Sequence, residues 1–150
     1  MPARAAIEAH RGDFAKLLRR HGVPEAELQR AVAMVVTALA RTVEDRRGRW
    51  IFSAEHQQSQ SELALTGLAG GRLTNVIIDR SFIDGTGTRW VIDFKTSSHQ
   101  GGGLESFLDQ EIERYTPQLQ KYLELARALG PEPVKAALYF PLLGAFRELA

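Results

Sequence analysis

Asp79, Asp93 and Lys95 are the residues of this chain whose types and spacing best suggest chemistry. They lie in two apolar, β-rich segments that flank the short connection Gly85-Thr86-Gly87. A glycine-containing connection of this length predicts a β-hairpin. The two aspartates are therefore expected on neighbouring antiparallel strands, with the lysine two residues beyond the second aspartate.

The register of this hairpin decides whether the three side chains meet. A turn centred on Thr86 predicts three cross-strand pairs: Phe82 with Trp90, Asp79 with Asp93, and Ile77 with Lys95. Because side chains alternate along a strand, this register places both aspartates and the lysine on one face of the sheet. A slip of one residue would separate them.

Two carboxylates opposite each other in a sheet repel, at a cost of up to ~1 kcal/mol even when exposed. A bridging divalent cation would remove the repulsion, and oxygen ligands favour magnesium or manganese, which also accept phosphate oxygens. Lys95 would add positive charge where a phosphoryl transition state gathers negative charge. The trio therefore indicates metal-assisted phosphodiester hydrolysis. Asp-x-Lys alone is more typical of an exposed charge pair at a strand end.

The elements that must position these residues follow from periodicity and from turn residues. Residues 1–45 are predicted to form a helical scaffold, with one helix from Ala5 to Arg20 that stops at Gly22 and a second from Pro24 to about Thr42. Residues 50–150 are predicted to form a core of strands and helices around one sheet. Within it we expect strands over 60–66, 73–84, 89–95 and 134–140, a turn marked by Gly67, Gly70 and Gly71, and a helix from Leu104 to about Gly130 that Pro117 kinks or restarts.

Bulk composition limits the function classes. The 150 residues suit one domain, and the absence of cysteine excludes disulfides, iron–sulfur clusters and cysteine-based zinc sites and suits a cytoplasmic location. No apolar run approaches the ~20 residues that span a bilayer. The net charge of +1 gives no global signal for nucleic acid, so any DNA affinity must come from a local patch or a partner.

Beyond this chemistry, the residues resemble the RecB-like branch of the Asp…(Asp/Glu)-x-Lys nuclease superfamily. The resemblance rests on Val76-Ile-Ile-Asp79-Arg80, on Val91-Ile-Asp93-Phe-Lys95-Thr96-Ser97, and on Gln118-Leu-Gln-Lys-Tyr122, which matches a Gln-x-x-x-Tyr motif. It is similar to the C-terminal nuclease domain of UvrD-type helicase–nucleases of the RecB and AddA kind. It covers about residues 54–149.

The resemblance implies an α/β fold of the restriction-endonuclease-like type, a central mixed β-sheet flanked by helices. It implies a magnesium ion, or manganese, bound by Asp79, Asp93 and the carbonyl of Phe94, with Lys95 as the catalytic lysine. Supporting or DNA-binding roles fall on other residues of the same region: Glu62, Arg80, Tyr115, Gln118 and Tyr122. If the helix continues through Pro117, the last three of these share one face.

The same resemblance implies an exonuclease-type deoxyribonuclease that processes DNA ends in recombinational repair, with single-stranded DNA as substrate. Its implied partners are an ATP-dependent helicase in cis and an AddB-like subunit. The chain has no Gly-x-x-x-x-Gly-Lys-Ser/Thr phosphate loop, so the motor must lie elsewhere, and we expect residues 1–150 to be one domain of a longer helicase–nuclease.

One departure keeps an alternative open. The family's metal-binding histidine, in a Gly-x-x-x-His context on an early helix, has no counterpart here, and His10 and His21 are expected to be surface residues. The alternative function is a non-catalytic nuclease-like module that binds DNA or a partner subunit. A nuclease that acts on RNA is a further option.

Overall fold

A computed structural model describes residues 2–150 of the chain. The chain divides into two compact units, one ending at Phe52 and one beginning at Ser53, and each is described by itself. Within residues 2–150, no helix combines the length and the apolar character needed to cross a bilayer.

The N-terminal unit is entirely helical. Its core consists of Leu28, Val32 and Val36, which follow one another at intervals of one helical turn and are nearly inaccessible to solvent. Phe14 and Leu18 from a neighbouring helix pack against them. The four helices are α1 Pro2–Ala9, α2 Arg11–Arg20, α3 Glu25–Glu44 and α4 Arg46–Ile51.

Two predicted boundaries in this unit can be compared directly. The single helix expected from Ala5 to Arg20 is wrong, because the chain breaks at His10 and begins a new helix at Arg11. The predicted stop at Gly22 is confirmed: its φ is +87°, a left-handed conformation that glycine adopts without steric cost.

The C-terminal unit is a five-stranded mixed sheet with a long helix packed on it. The strands lie in chain order, and every neighbouring pair is antiparallel except β3 and β4, which are parallel. The helix α5 makes the crossover that parallel strands require. The elements are β1 Gln57–Ala69, β2 Arg72–Ile83, β3 Arg89–Phe94, α5 Leu104–Ala126, a 3-10 turn Arg127–Leu129, β4 Val134–Phe140 and β5 Ala145–Glu148. The predicted fold class, a mixed sheet flanked by helices, is confirmed.

The β2–β3 hairpin has the predicted register. Four pairs are formed, from Ile83 with Arg89 to Arg80 with Ile92, and Phe82 faces Trp90 as expected. The side chain of Asp84 holds the turn together. Its Oδ1 accepts hydrogen bonds from the turn residues Thr86 and Thr88, and its Oδ2 accepts one from the indole of Trp90 at 2.9 Å.

The ladder of this hairpin ends sooner than expected. Its last pair is Arg80 with Ile92, one step before Asp79 and Asp93, so neither the predicted pairing of Asp79 with Asp93 nor that of Ile77 with Lys95 forms part of the ladder. The main-chain N–H of Lys95 instead donates to the carbonyl of Tyr139 at 2.9 Å. The pairing of β3 with β4 thus continues past the point where its pairing with β2 has ended.

Helix α5 runs without a break through Pro117, so the predicted restart there is wrong. A proline inside a helix removes one main-chain hydrogen bond. Packing compensates for that loss, since Leu119 and Tyr122 just beyond the proline are buried in the core of the sheet. The predicted turn at Gly70 and Gly71 is confirmed.

Two further local predictions need correction. Gly67 was expected in that turn but lies inside β1, where a Cβ atom would stand 2.8 Å from Leu125 Cδ2. Its function is therefore to let α5 approach the strand. Strand β5, Ala145–Glu148, was not predicted at all, because four partly exposed residues carry too little periodicity to be recognised.

Candidate active site

Asp93 and Lys95 form an ion pair at the end of β3. Lys95 Nζ lies 2.8 Å from Asp93 Oδ2, and the Asp93 residue is only 5% exposed. Despite this proximity, Oδ2 accepts no well-aligned hydrogen bond from any residue in the described part of the chain. The contact is therefore a close charge pair, and it leaves a buried oxygen with coordination capacity to spare.

Asp79 reaches the same place from β2. Its Oδ2 accepts a hydrogen bond of 2.8 Å from the main-chain N–H of Phe94. Burial and the neighbouring Asp93 carboxyl group raise the pKa of Asp79 to about 6, against the smaller opposing effects of the Phe94 N–H and of Lys95. The predicted crowding of two carboxylates is thus present, and it penalises the ionised form of Asp79.

The early end of the β2–β3 ladder explains how these groups meet. Beyond Ile92, the N–H of Phe94 bonds to a side-chain carboxylate of β2 rather than to its main chain. Lys95 points its main-chain groups toward β4, so those of Phe94, including its carbonyl, point toward β2. The end of the ladder therefore leaves the Phe94 N–H free to bond to Asp79.

Three predicted residues of helix α5 lie near the lysine and the aspartates or contact a residue that does. The ring of Tyr115 lies 3.7 Å from Lys95 Nζ, a cation–π contact. Gln118 Nε2 donates to the hydroxyl of Tyr122 at 2.9 Å. Burial, followed by the charges of Asp93 and Asp79, raises the pKa of Tyr122 to about 12, so its phenol keeps its proton at all ordinary pH values. The expected shared face of α5 is formed, since the helix is continuous.

Glu62 and Arg80 lie beside this group rather than in it. Glu62 falls between the pairs Ser61–Arg80 and Leu63–Ile78, level with Asp79, and its side chain is exposed. Its φ of +52° is unusual for a residue other than glycine. Arg80 donates a hydrogen bond to Ser61 Oγ at 3.2 Å, and burial lowers its pKa. The structure thus gives Arg80 a partner on β1.

A divalent cation can be tested against these residues. Asp79, Asp93 and the Phe94 carbonyl are all oxygen donors, and the crowded carboxylates and the under-coordinated Asp93 Oδ2 fit a hard cation. Within residues 2–150, no cluster of three or more histidine, cysteine, aspartate or glutamate side chains is present. The oxygen donors themselves fit a hard divalent cation such as magnesium, which ordinarily keeps several waters and needs few carboxylates.

Sequence reasoning missed two cations of α5. Arg114 and Lys121 lie on the same side of the helix as Gln118, four residues before it and three after it. Arg114, Gln118 and Lys121 are spaced i, i+4, i+7, and this spacing would have placed the two cations on the helix face of the Gln-x-x-x-Tyr motif. Only the position of β2 shows that they line a groove.

Comparison with known proteins gives one clear result. The family described as the PD-(D/E)XK nuclease superfamily matches residues 3–147. No curated protein matches the chain significantly. Because the match spans nearly the whole sequence, and the sheet is the one expected for such a fold, the chain belongs to the PD-(D/E)XK nuclease superfamily, whose members are generally metal-dependent nucleases.

Proposed function

We propose that this protein is a magnesium-dependent DNA nuclease whose catalytic residues are Asp79, Asp93 and Lys95. The observation that carries the proposal is the Lys95–Asp93 ion pair of 2.8 Å beside a second, crowded carboxylate. The segment Asp93-Phe94-Lys95 has the (D/E)-x-K form of the superfamily's name, whereas Ile78 stands where that name has proline.

Each residue of the proposed active site has a distinct chemical role. Asp79 and Asp93, with the Phe94 carbonyl, would hold the cation, and the fixed N–H of Phe94 keeps the Asp79 carboxylate in position. A bound magnesium ion would supply Lewis-acid polarisation of the scissile phosphate. Lys95 keeps its ammonium beside the reacting phosphate, where it offsets the negative charge that accumulates during hydrolysis. Tyr115 limits the positions open to that ammonium.

The biological setting is also a proposal. We infer an exonuclease-type activity on single-stranded DNA during end processing for recombinational repair in the cytoplasm. A helicase in cis and an AddB-like partner subunit would deliver the strand. The net charge of +1 supports such delivery, because the domain alone has little long-range attraction for DNA.

The experiment is a cleavage assay on end-labelled single-stranded DNA with magnesium, manganese or a chelator. Wild-type protein should cleave only with metal, and Asp93→Asn and Lys95→Ala should each lose at least ~100-fold in rate, the scale of losing one electrostatic contact to a transition state. Lys135→Ala, which removes an exposed lysine paired with Glu148, is the matched control and should cleave normally. Normal cleavage by the Lys95 variant would refute the assignment.

One observation favours a second candidate, a catalytically inactive module that binds DNA or a partner. It is that the sequence has no histidine in the Gly-x-x-x-His context in which nucleases of the RecB-like kind place a metal ligand. Calorimetric titration of magnesium and manganese separates the two functions. Binding that is lost in an Asp79→Ala/Asp93→Ala variant supports the nuclease, whereas no binding to the wild-type chain supports the inactive module.

A further inference from the structure

A groove runs between β2 and α5, beside the candidate active site. Its volume is about 650 Å³. One wall is strand and the other is helix, and both are mostly exposed at this point. The lining residues are Thr74, Asn75, Val76, Ile77, Arg114, Pro117, Gln118, Lys121 and Tyr122.

The groove is cationic. Arg114 and Lys121 are the charged residues among those that line it, and no carboxylate of residues 2–150 does so. The nearest acidic partner of Arg114 is Glu111, whose Oε1 lies 3.9 Å from Nη1, at the limit of an ion pair. In the described chain, no ion pair involves Lys121. Two exposed, weakly engaged cations in one groove favour an anionic occupant.

The groove borders the carboxylates, since Ile77 in its lining is two residues before Asp79 on β2. Tyr122 lines it, and the same phenol is close enough to Asp93 and Asp79 for their charges to affect its pKa. Gln118, which also lines the groove, donates to that phenol. An anionic chain with one phosphate at Asp79 and Asp93 would therefore meet this groove next.

The remaining lining suits nucleotides. Ile77 is 62% exposed, although it lies on a strand of the sheet, and Asn75 beside it offers an amide. Apolar and amide surface on β2 thus faces two cations on α5, a combination that suits the bases and phosphates of a strand. A volume of about 650 Å³ is that of a small-molecule site and is large enough for one or two nucleotides.

We propose that this groove binds the single-stranded nucleic acid segment adjoining the scissile phosphate, with Arg114 and Lys121 contacting its phosphates. The proposal rests on the proposed function, because it assumes that the scissile phosphate of the same strand lies at Asp79 and Asp93. It extends that function by naming the path of the substrate and two residues outside the metal site.

The test measures equilibrium binding of a fluorescent 12-nucleotide oligo(dT) to the full chain. Fluorescence anisotropy is the readout, a chelator is present throughout, and the NaCl concentration is varied. Arg114→Gln/Lys121→Gln should flatten the slope of log K against log salt by about 1.4, which is roughly 25-fold weaker binding at about 0.1 M salt. The control Arg127→Gln/Lys135→Gln removes the same charge from exposed positions outside the groove and should leave the slope unchanged.

The proposal would be overturned by an unchanged slope in the groove variant, by equal losses in both double variants, or by wild-type protein that does not bind the oligonucleotide. A duplex that binds as tightly through the same two cations would also overturn it. Cleavage is measured separately with magnesium. Groove-dependent binding without cleavage would refute the proposed nuclease alone, and cleavage with groove-independent binding would refute the groove alone.

Discussion

Replacing Asp79 with asparagine should stabilise the metal-free protein at neutral pH. A pKa raised to about 6 means that the folded state favours the neutral carboxyl group. This stabilisation is fully present below the unfolded-state pKa, about 4, and is lost as pH rises through about 6. Asparagine remains neutral, and its side-chain carbonyl still accepts the hydrogen bond from Phe94 N. Above about pH 6 the variant should therefore keep the stabilisation that a neutral side chain gives, whereas the wild-type protein loses it.

The magnitude follows from the size of the shift. About two pH units at about 1.4 kcal/mol each would give about 3 kcal/mol. Asp79 is only half-buried, so solvent screening reduces the expected difference to about 1–2 kcal/mol. For a chain of this length that corresponds to a melting temperature about 3–6 °C higher at pH 8. At pH 4 and below, the two proteins should melt within about 1 °C of each other.

The assay is thermal unfolding from pH 3.5 to 8.5 in a chelator and again with 10 mM magnesium, a concentration chosen as roughly saturating for a weak site. Magnesium should raise the melting temperature of wild-type protein and not that of Asp79→Asn. Asp109→Asn is the control, because this exposed carboxylate lies 3.5 Å from Arg147 and its neutralisation should not stabilise. An Asp79→Asn protein that melts below wild type at pH 8 without metal would refute the reasoning.

Three further predictions concern the strands that position the site. Asp84→Ala removes the acceptor of the turn hydrogen bonds and of the Trp90 indole and should cost about 2–3 kcal/mol in the free energy of unfolding, measured by urea titration. Gly67→Val should cost about 2 kcal/mol and Gly67→Ala about 1, because Leu125 must move; equal stability of all three proteins would contradict the close approach. Glu62→Gly should be more stable than Glu62→Ala by about 1 kcal/mol in the free energy of unfolding, because φ at this position is +52°. Comparing the cleavage rates of these two variants with that of wild-type protein shows whether the Glu62 carboxylate takes part in cleavage.

Much of the candidate site was predictable because its parts are local. The turn chemistry of Asp84 to Thr88 sets the register of one hairpin, and a two-residue alternation then places Asp79, Asp93 and Lys95 together. Those signals span about 20 residues and need no knowledge of the rest of the chain. The continuous face of Tyr115, Gln118 and Tyr122 was predictable only on a condition, since Pro117 by itself favours a break.

The sequence by itself therefore determined the hairpin, its register, the final strand of the crossover and the three residues proposed as catalytic. The tertiary structure alone decided where the β2–β3 ladder stops, which turns the Phe94 N–H toward Asp79. It also decided that α5 passes intact through Pro117, that β5 closes the sheet, and that Arg114 and Lys121 face β2 across a groove. The physical reason is range: periodicity and turn preference act over a few residues, whereas these features depend on packing between segments distant in the chain.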